Sequence, residues 1–164
     1  MLRQALLLAL FTASVVSQAA AQSVVFVVRH AERADAVGSA MADDPDLSDI
    51  GRARAESLAT MLKDAGITAI FATQYKRTHQ TAAPLAKALG LKVATVHSDD
   101  IAGLAAQVRK VTGNVLVVSH SGSVPKFVRE LGGTNVPELG HDDYDNLFIV
   151  TTGTRPSVVR LHFH

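Results

Sequence analysis

The chain has 164 residues, a length that suggests one domain, and its 16 basic and 15 acidic residues leave a formal charge of +1. Nothing global therefore favours nucleic acid or an anionic membrane surface, and any strongly positive site has to be local. The sequence has no cysteine, which excludes disulfides and thiol chemistry, so stability has to come from packing.

Residues 1–21 read as a secretory signal peptide. Arg3 is a short positive start, Ala5 to Val16 is an apolar core, and Ala19-Ala20-Ala21 offers the small residues of a cleavage site. The apolar run is shorter than the roughly 18–20 residues needed to span a bilayer, so no stable membrane anchor is expected. The expected product is a domain of residues 22–164, periplasmic or secreted after cleavage near Ala21. Loss of Arg3 balances its charges.

Val24–Val28 is a continuous β-branched and aromatic run, the pattern of a strand covered on both faces. Residues 34–47 are small, polar and acidic, with Gly38 and Pro45, and read as a loop. Ser48 is placed to cap a helix running to about Ala65, with Ala53, Leu58, Met61 and Leu62 as its apolar stripe and Gly66 as its stop. Ile67–Ala72 is a second strand. A helix is predicted from about Lys76 to Leu89, closed by Gly90, with Pro84 expected to kink or restart it. Leu91–Val96 reads as a strand, residues 101–111 as a helix capped by Asp99 or Asp100, and Val115–Ser119 as another buried strand. A short helix over Val124–Leu131 accepts Pro125 in its first turn. After a long loop from Gly132 to Asn146, Leu147–Thr152 and Val158–Phe163 form two last strands, read as a possible hairpin. This alternation implies a three-layer α/β/α sandwich with a mostly parallel central sheet. In such sheets, ligand groups gather at the carboxyl ends of the strands.

Two of these strands end alike. "VVFVVRH" and "NVLVVSH" each run from a buried strand into a histidine, His30 and His120. If the strands are neighbours, both imidazoles stand side by side at one edge of the sheet. The stretch "TQYKRTHQTAAPLA" also follows a strand, and it opens a helix with Arg77, where backbone N–H groups and the helix dipole favour an anion. Arg29, Arg77, His30 and His120 together would form a compact positive pocket, and arginine's planar paired donors match phosphate oxygens. Singly, each arginine reads more readily as a surface or salt-bridging residue.

Arg29-His30-Ala31-Glu32 resembles the Arg-His-Gly/Ala signature of the histidine phosphatase (phosphoglycerate mutase-like) superfamily. "KRTHQTA" resembles its Arg-x-x-Gln-Thr-Ala motif through Arg77, Gln80, Thr81 and Ala82, and "VVSHSG" resembles its second-histidine motif. The resemblance is to a small exported bacterial-type member and runs from Val24 to Phe163. It implies a phosphoglycerate mutase-like fold and a metal-independent phosphoric monoester hydrolase that uses no cofactor. His30 would be the nucleophile, forming a covalent phosphohistidine. Arg29, Arg77 and His120 would hold the equatorial oxygens, with Glu32 and Ser121 also binding substrate. The substrate would be a phosphorylated small molecule, an envelope glycan, or a phosphoprotein (phosphohistidine included), and no nucleic acid partner is expected.

A general acid has to protonate the leaving oxygen. The resemblance implies a carboxylate from a loop after the arginine motif, which points to Asp99 or Asp100. Their other reading is as helix caps, and Asp142, Asp143 and Glu32 are rivals. The alternatives for the whole protein are a phosphate-binding relative without turnover and a phosphoglycerate-type mutase. The second-histidine motif here continues with Ser121 rather than Asp, which sets the chain apart from the other branch of the superfamily. Blander readings go to His79 (loop or solvent), His162 and His164 (a frayed tail rather than a metal site), Arg33 (a solvated loop residue) and Tyr144 (a packing anchor).

Overall fold

The structure is a computed structural model that describes residues 23–34 and 44–164. The signal segment and most of the loop expected over 34–47 lie outside the described residues. The elements in chain order are β1 (Val24–Arg29), α1 (Asp49–Leu62), β2 (Ile67–Thr73), α2 (Lys76–Leu89), β3 (Val93–Val96), α3 (Ile101–Val108), β4 (Asn114–Ser119), α4 (Val124–Glu130), β5 (Asn146–Thr151) and β6 (Ser157–His162).

One six-stranded sheet has the order β3-β2-β4-β1-β5-β6. Its first four strands are parallel, and the two central ones, β1 and β4, carry the continuous apolar runs of strands covered on both faces. β5 pairs antiparallel with β1 and then with β6, so the last two strands are the hairpin the sequence allowed. Side chains of the central strands alternate between two cores. Val25, Val27, Val115 and Val117 pack with Leu104, Val108, Phe127 and Val128 of α3 and α4. Phe26, Val28, Leu116 and Val118 pack with Leu58 and Leu62 of α1 and Leu85 of α2 on the other face. The result is the three-layer α/β/α sandwich. Each fully buried Val, Leu or Phe in it contributes roughly 1.5–3 kcal/mol.

Element ends follow local chemistry. The side chain of Ser48 accepts from Gly51 N at 3.1 Å and starts α1. The side chain of Asp100 accepts from Gly103 N at 2.8 Å and starts α3. Gly90, at φ 66, closes α2 in the left-handed conformation. Several boundaries differ from the pattern reading (α1, for one, ends at Leu62 rather than about Ala65), and three differences have a clear local cause. α2 continues through Pro84 without restarting, because Ala82, Leu85 and Ala86 on either side of it are buried against the sheet. β3 begins at Val93 rather than Leu91, because Leu91 N is spent on the Ala86 carbonyl at the end of α2. α3 ends at Val108, where the chain tightens into three-residue bonds from Lys110 to Gln107 and from Val111 to Val108.

The C-terminal tail is docked rather than frayed. Phe163 is buried in the α1/α2 core, its carbonyl accepts from Arg54 at 2.8 Å, and the hydroxyl of Ser57 donates to the His164 carbonyl. His162 bonds Asp145 at 2.9 Å.

Candidate active site

β1 and β4 are adjacent and parallel, with Arg29 level with Ser119. His30 N donates to the Ser119 carbonyl at 2.8 Å, so the register holds for one residue past both strands. The rings of His30 and His120 consequently sit edge to face, 5.3 Å apart. His30 is only 5 % exposed. Its Nδ1 lies 2.8 Å from the Ala31 carbonyl. A carbonyl only accepts, so Nδ1 carries the proton and Nε2 keeps the lone pair. Burial lowers the His30 pKa to about 3, and the charges of His120, Arg29 and Arg77 act in the same direction against the bond to Ala31. The ring is therefore a neutral base across the physiological range.

His120 reaches its state through two threonines. The hydroxyl of Thr78 donates to a carbonyl, that of Tyr75 at 2.7 Å or of Thr73 at 2.9 Å. Its single proton is thereby spent, so across the 3.1 Å hydroxyl pair Thr73 is the donor. The oxygen of Thr73 then accepts from Nε2 of His120 at 2.8 Å. This hydrogen-bond pattern assigns the Nε2–H tautomer, with the lone pair on Nδ1. Burial, followed by the charges of Arg77 and Arg29, lowers the His120 pKa to about 4.

Two arginines flank the imidazoles, and a tyrosine lies against each. Arg29 is 6 % exposed, stacks 3.8 Å from the Tyr144 ring centroid, and donates through Nη1 to the carbonyls of Gly140 (3.0 Å) and His141 (2.7 Å). Arg77 lies 4.5 Å from the Tyr75 ring centroid, and its Nη1 is 3.5 Å from Asp44. Tyr144 also sits 6.0 Å from the His30 ring, and Tyr75 sits 5.2 Å from that of His120. Burial lowers the pKa of both guanidiniums, and the charge of Arg33 pushes each the same way. Nε of Arg29 and Nε of Arg77 are buried without a protein partner. An unmet buried donor costs about 1–3 kcal/mol, and two of them beside a histidine pair fit a site completed by an oxyanion.

A family model described as the histidine phosphatase superfamily (branch 1) matches residues 25–100, from β1 through α2 and β3. Over those residues the chain is similar to the histidine phosphatase superfamily. The fold matches solved structures over nearly their whole length. The structure of the protein histidine phosphatase SixA with tungstate is similar at a TM-score of 0.69 and 21% identity, covering 85% of this chain and 96% of that one. A structure named mycobacterial hydrolase 1 gives 0.66 at 17% identity, over 85% and 97% of the two chains. A mycobacterial glucosyl-3-phosphoglycerate phosphatase gives 0.59 at 19% identity, over 79% and 90%. No curated protein matches the sequence.

The other candidate residues are distributed unevenly. Ser121 is half-buried in the turn between β4 and α4, next to His120. Glu32 is paired with Arg54 of α1. Both its oxygens accept from Arg54, at 2.6–3.0 Å. Gly51 makes this possible, since a Cβ there would stand 2.0 Å from the Glu32 carbonyl oxygen; the missing side chain lets α1 press onto the loop after β1. Asp100 is the cap of α3, and Asp99 is exposed beside Ser98 and His97. Asp143 accepts from Gly140 N at 2.7 Å and shapes the loop that Arg29 holds, while Asp142 is exposed and bonds His141. His79 reaches Thr95 at 3.3 Å. Arg33 is half-buried and bridges to Leu47, closer to the site than a solvated loop residue. Sequence reasoning missed Asp44, Thr73, Tyr75 and Thr78. Three of these lie in or beside the "TQYKRTH" stretch at the carboxyl end of β2, where ligand groups were expected.

Proposed function

We propose that this protein is an exported phosphatase that removes phosphate from its substrate through a covalent phosphohistidine on Nε2 of His30. The observation that carries the reading is the His30 tautomer: the bond to Ala31 leaves Nε2 with a lone pair, beside two arginines that have unmet buried donors. In the first step Nε2 attacks phosphorus and the bond to the leaving group breaks. Arg29 and Arg77 offset charge on the equatorial oxygens, where losing one such donor costs roughly 2.7–4 kcal/mol of barrier. A dianion beside His120 favours its protonated form, so the ring can take up a proton on Nδ1 and become a further donor. In the second step water attacks phosphorus, the P–N bond breaks, and inorganic phosphate leaves with His30 restored.

The leaving group needs a proton, and Glu32, Asp99 and Asp100 are all engaged elsewhere or exposed. That favours substrates whose leaving group does not depend on a carboxylic acid. The imidazole of phosphohistidine takes its proton from solvent near neutral pH, whereas an alkoxide has to be protonated as it departs. The likeness to a protein histidine phosphatase points the same way. We therefore rank phosphohistidine first, aryl phosphates as serviceable probes, and alkyl phosphates last. Export rests on the signal pattern of residues 1–21.

The test is turnover of an aryl phosphate and of phosphoimidazole by residues 22–164 in EDTA, beside His30→Ala. The expected result is metal-independent turnover of both, an acid-labile phosphoenzyme, and loss of both in the variant. Turnover retained by His30→Ala would falsify the reading. Tight vanadate binding without turnover would instead identify a phosphate-binding relative.

A further inference from the structure

Asp44 lies where the phosphate reading needs positive charge to be available. Its two carboxylate oxygens each stand 3.0 Å from the backbone N–H of Lys76, in the first turn of α2, and Oδ1 is 3.5 Å from Nη1 of Arg77. The Asp44 side chain is 31% exposed and that of Arg77 is 13% exposed, so the pair is shielded without being sealed. Tyr75, the N-cap residue of α2, makes no side-chain capping bond, and Asp44 supplies one from a distant part of the chain. The charge of Asp44 also acts on His120, favouring its protonated form. It thus bears on two of the groups assigned to phosphate binding.

Two functions are superposed in this carboxylate, and chemistry separates them. Capping needs an acceptor oxygen, which asparagine supplies as well as aspartate. Neutralising Arg77 needs the full negative charge. A cap alone has no reason to lie against the guanidinium of the phosphate site, because the charge there opposes the incoming anion. Building on the phosphate-site reading above, we propose that Asp44 is an internal counter-anion that competes with the substrate phosphoryl group for Arg77 and so sets the affinity of the site.

The experiment compares residues 22–164 with Asp44→Asn, Asp44→Ala and Arg77→Ala, titrating each with orthovanadate and with inorganic phosphate and recording thermal melts. Asp44→Asn keeps the cap and drops the charge. It is expected to bind both anions tighter by about fivefold, the upper end for a partly exposed charge pair, and to lower KM for the aryl phosphate. Asp44→Ala is expected to melt lower, since it loses the cap as well. Unchanged or weaker anion binding by Asp44→Asn, with the unmodified chain binding normally, would overturn the proposal and leave Asp44 as a cap. If the unmodified chain and Arg77→Ala bind vanadate equally, or neither binds it, the phosphate-site reading fails and this inference falls with it.

Discussion

Replacing Glu32 by Gln separates a structural carboxylate from a substrate-binding one. Arg54 embraces Glu32 through Nε and Nη2 at 2.6–3.0 Å, and its Nη1 continues to the Phe163 carbonyl at 2.8 Å. The two side chains are 16% and 20% exposed. One network therefore ties the loop after β1 to α1 and to the C-terminal tail. Exposed pairs contribute at most about 1 kcal/mol, and breaking a fully buried pair costs about 3–5 kcal/mol. A pair this shielded falls between, at about 2 kcal/mol, which for a domain of this size lowers Tm by roughly 6 °C. Burial raises the Glu32 pKa, but the hydrogen bonds from Arg54 outweigh it and hold the carboxyl below its ordinary value. A depressed folded-state pKa means this contribution is present above the unfolded-state value and disappears as pH falls through the carboxylate range. Thermal melts at pH 7 and pH 3.5 of Glu32→Gln, Arg54→Met and the double variant should show a coupling energy at pH 7 that shrinks at pH 3.5. Aryl phosphate turnover at 25 °C should change by less than about threefold, since the folded fraction stays high. A hundredfold loss of kcat at unchanged Tm would refute the structural assignment and return Glu32 to the substrate.

The histidine pair predicts an acid instability. Folded-state values of about 3 and about 4 lie below the ordinary 6.5, so the unfolded chain binds more protons as pH falls. Their contribution is complete above about pH 6.5 and is lost toward pH 4, with a slope of up to about 2.7 kcal/mol per pH unit for two groups. Urea unfolding from pH 7 to pH 4 reads that slope, and it should flatten in His30→Asn/His120→Asn; a pH-independent stability over this range refutes the assigned states. Thr73→Val should strand the buried Nε2–H of His120 and lower kcat roughly tenfold, at about 1–1.5 kcal/mol for one hydrogen bond. Equal kcat in the variant would show that the threonine relay does not hold His120 in its working state.

Much of the fold was legible because the two central parallel strands, β1 and β4, carry their own signature. Val24–Val28 and Val115–Val118 are apolar at consecutive positions, the pattern of a strand covered on both faces. The matching polar residues after them then located two imidazoles at one sheet edge. Boundaries were less legible, because capping bonds outside the repeating pattern set them, as Leu91 does at the start of β3. The surroundings of Glu32 were illegible for a related reason. Closeness to His30 in sequence suggested a shared site, but its orientation is decided by Gly51 and Arg54, residues on another element. Asp44 was invisible for the same cause: a stretch that reads as an acidic loop gives no sign that one carboxylate crosses to the start of α2.

The two tyrosines show what kind of support a phosphate site favours. A carboxylate that anchors an arginine occupies its N–H donors and cancels its charge, and both are what an oxyanion needs. An aromatic face holds a guanidinium through its π-system instead, worth about 0.5–2 kcal/mol, and leaves the edge donors and the charge free. Both tyrosines of this chain do this, Tyr144 for Arg29 and Tyr75 for Arg77, and each also touches one of the paired imidazoles. The Nη1 of Arg29 that is bonded goes to two neutral carbonyls, which spend a donor but not the charge. Against that pattern Asp44 stands out, among the described residues, as a carboxylate set 3.5 Å from the guanidinium of Arg77, the side chain whose charge it can tune. Aromatic support on both arginines leaves their charge available to an oxyanion, and the Asp44 carboxylate beside Arg77 is the contact at which the proposed tuning of affinity is tested.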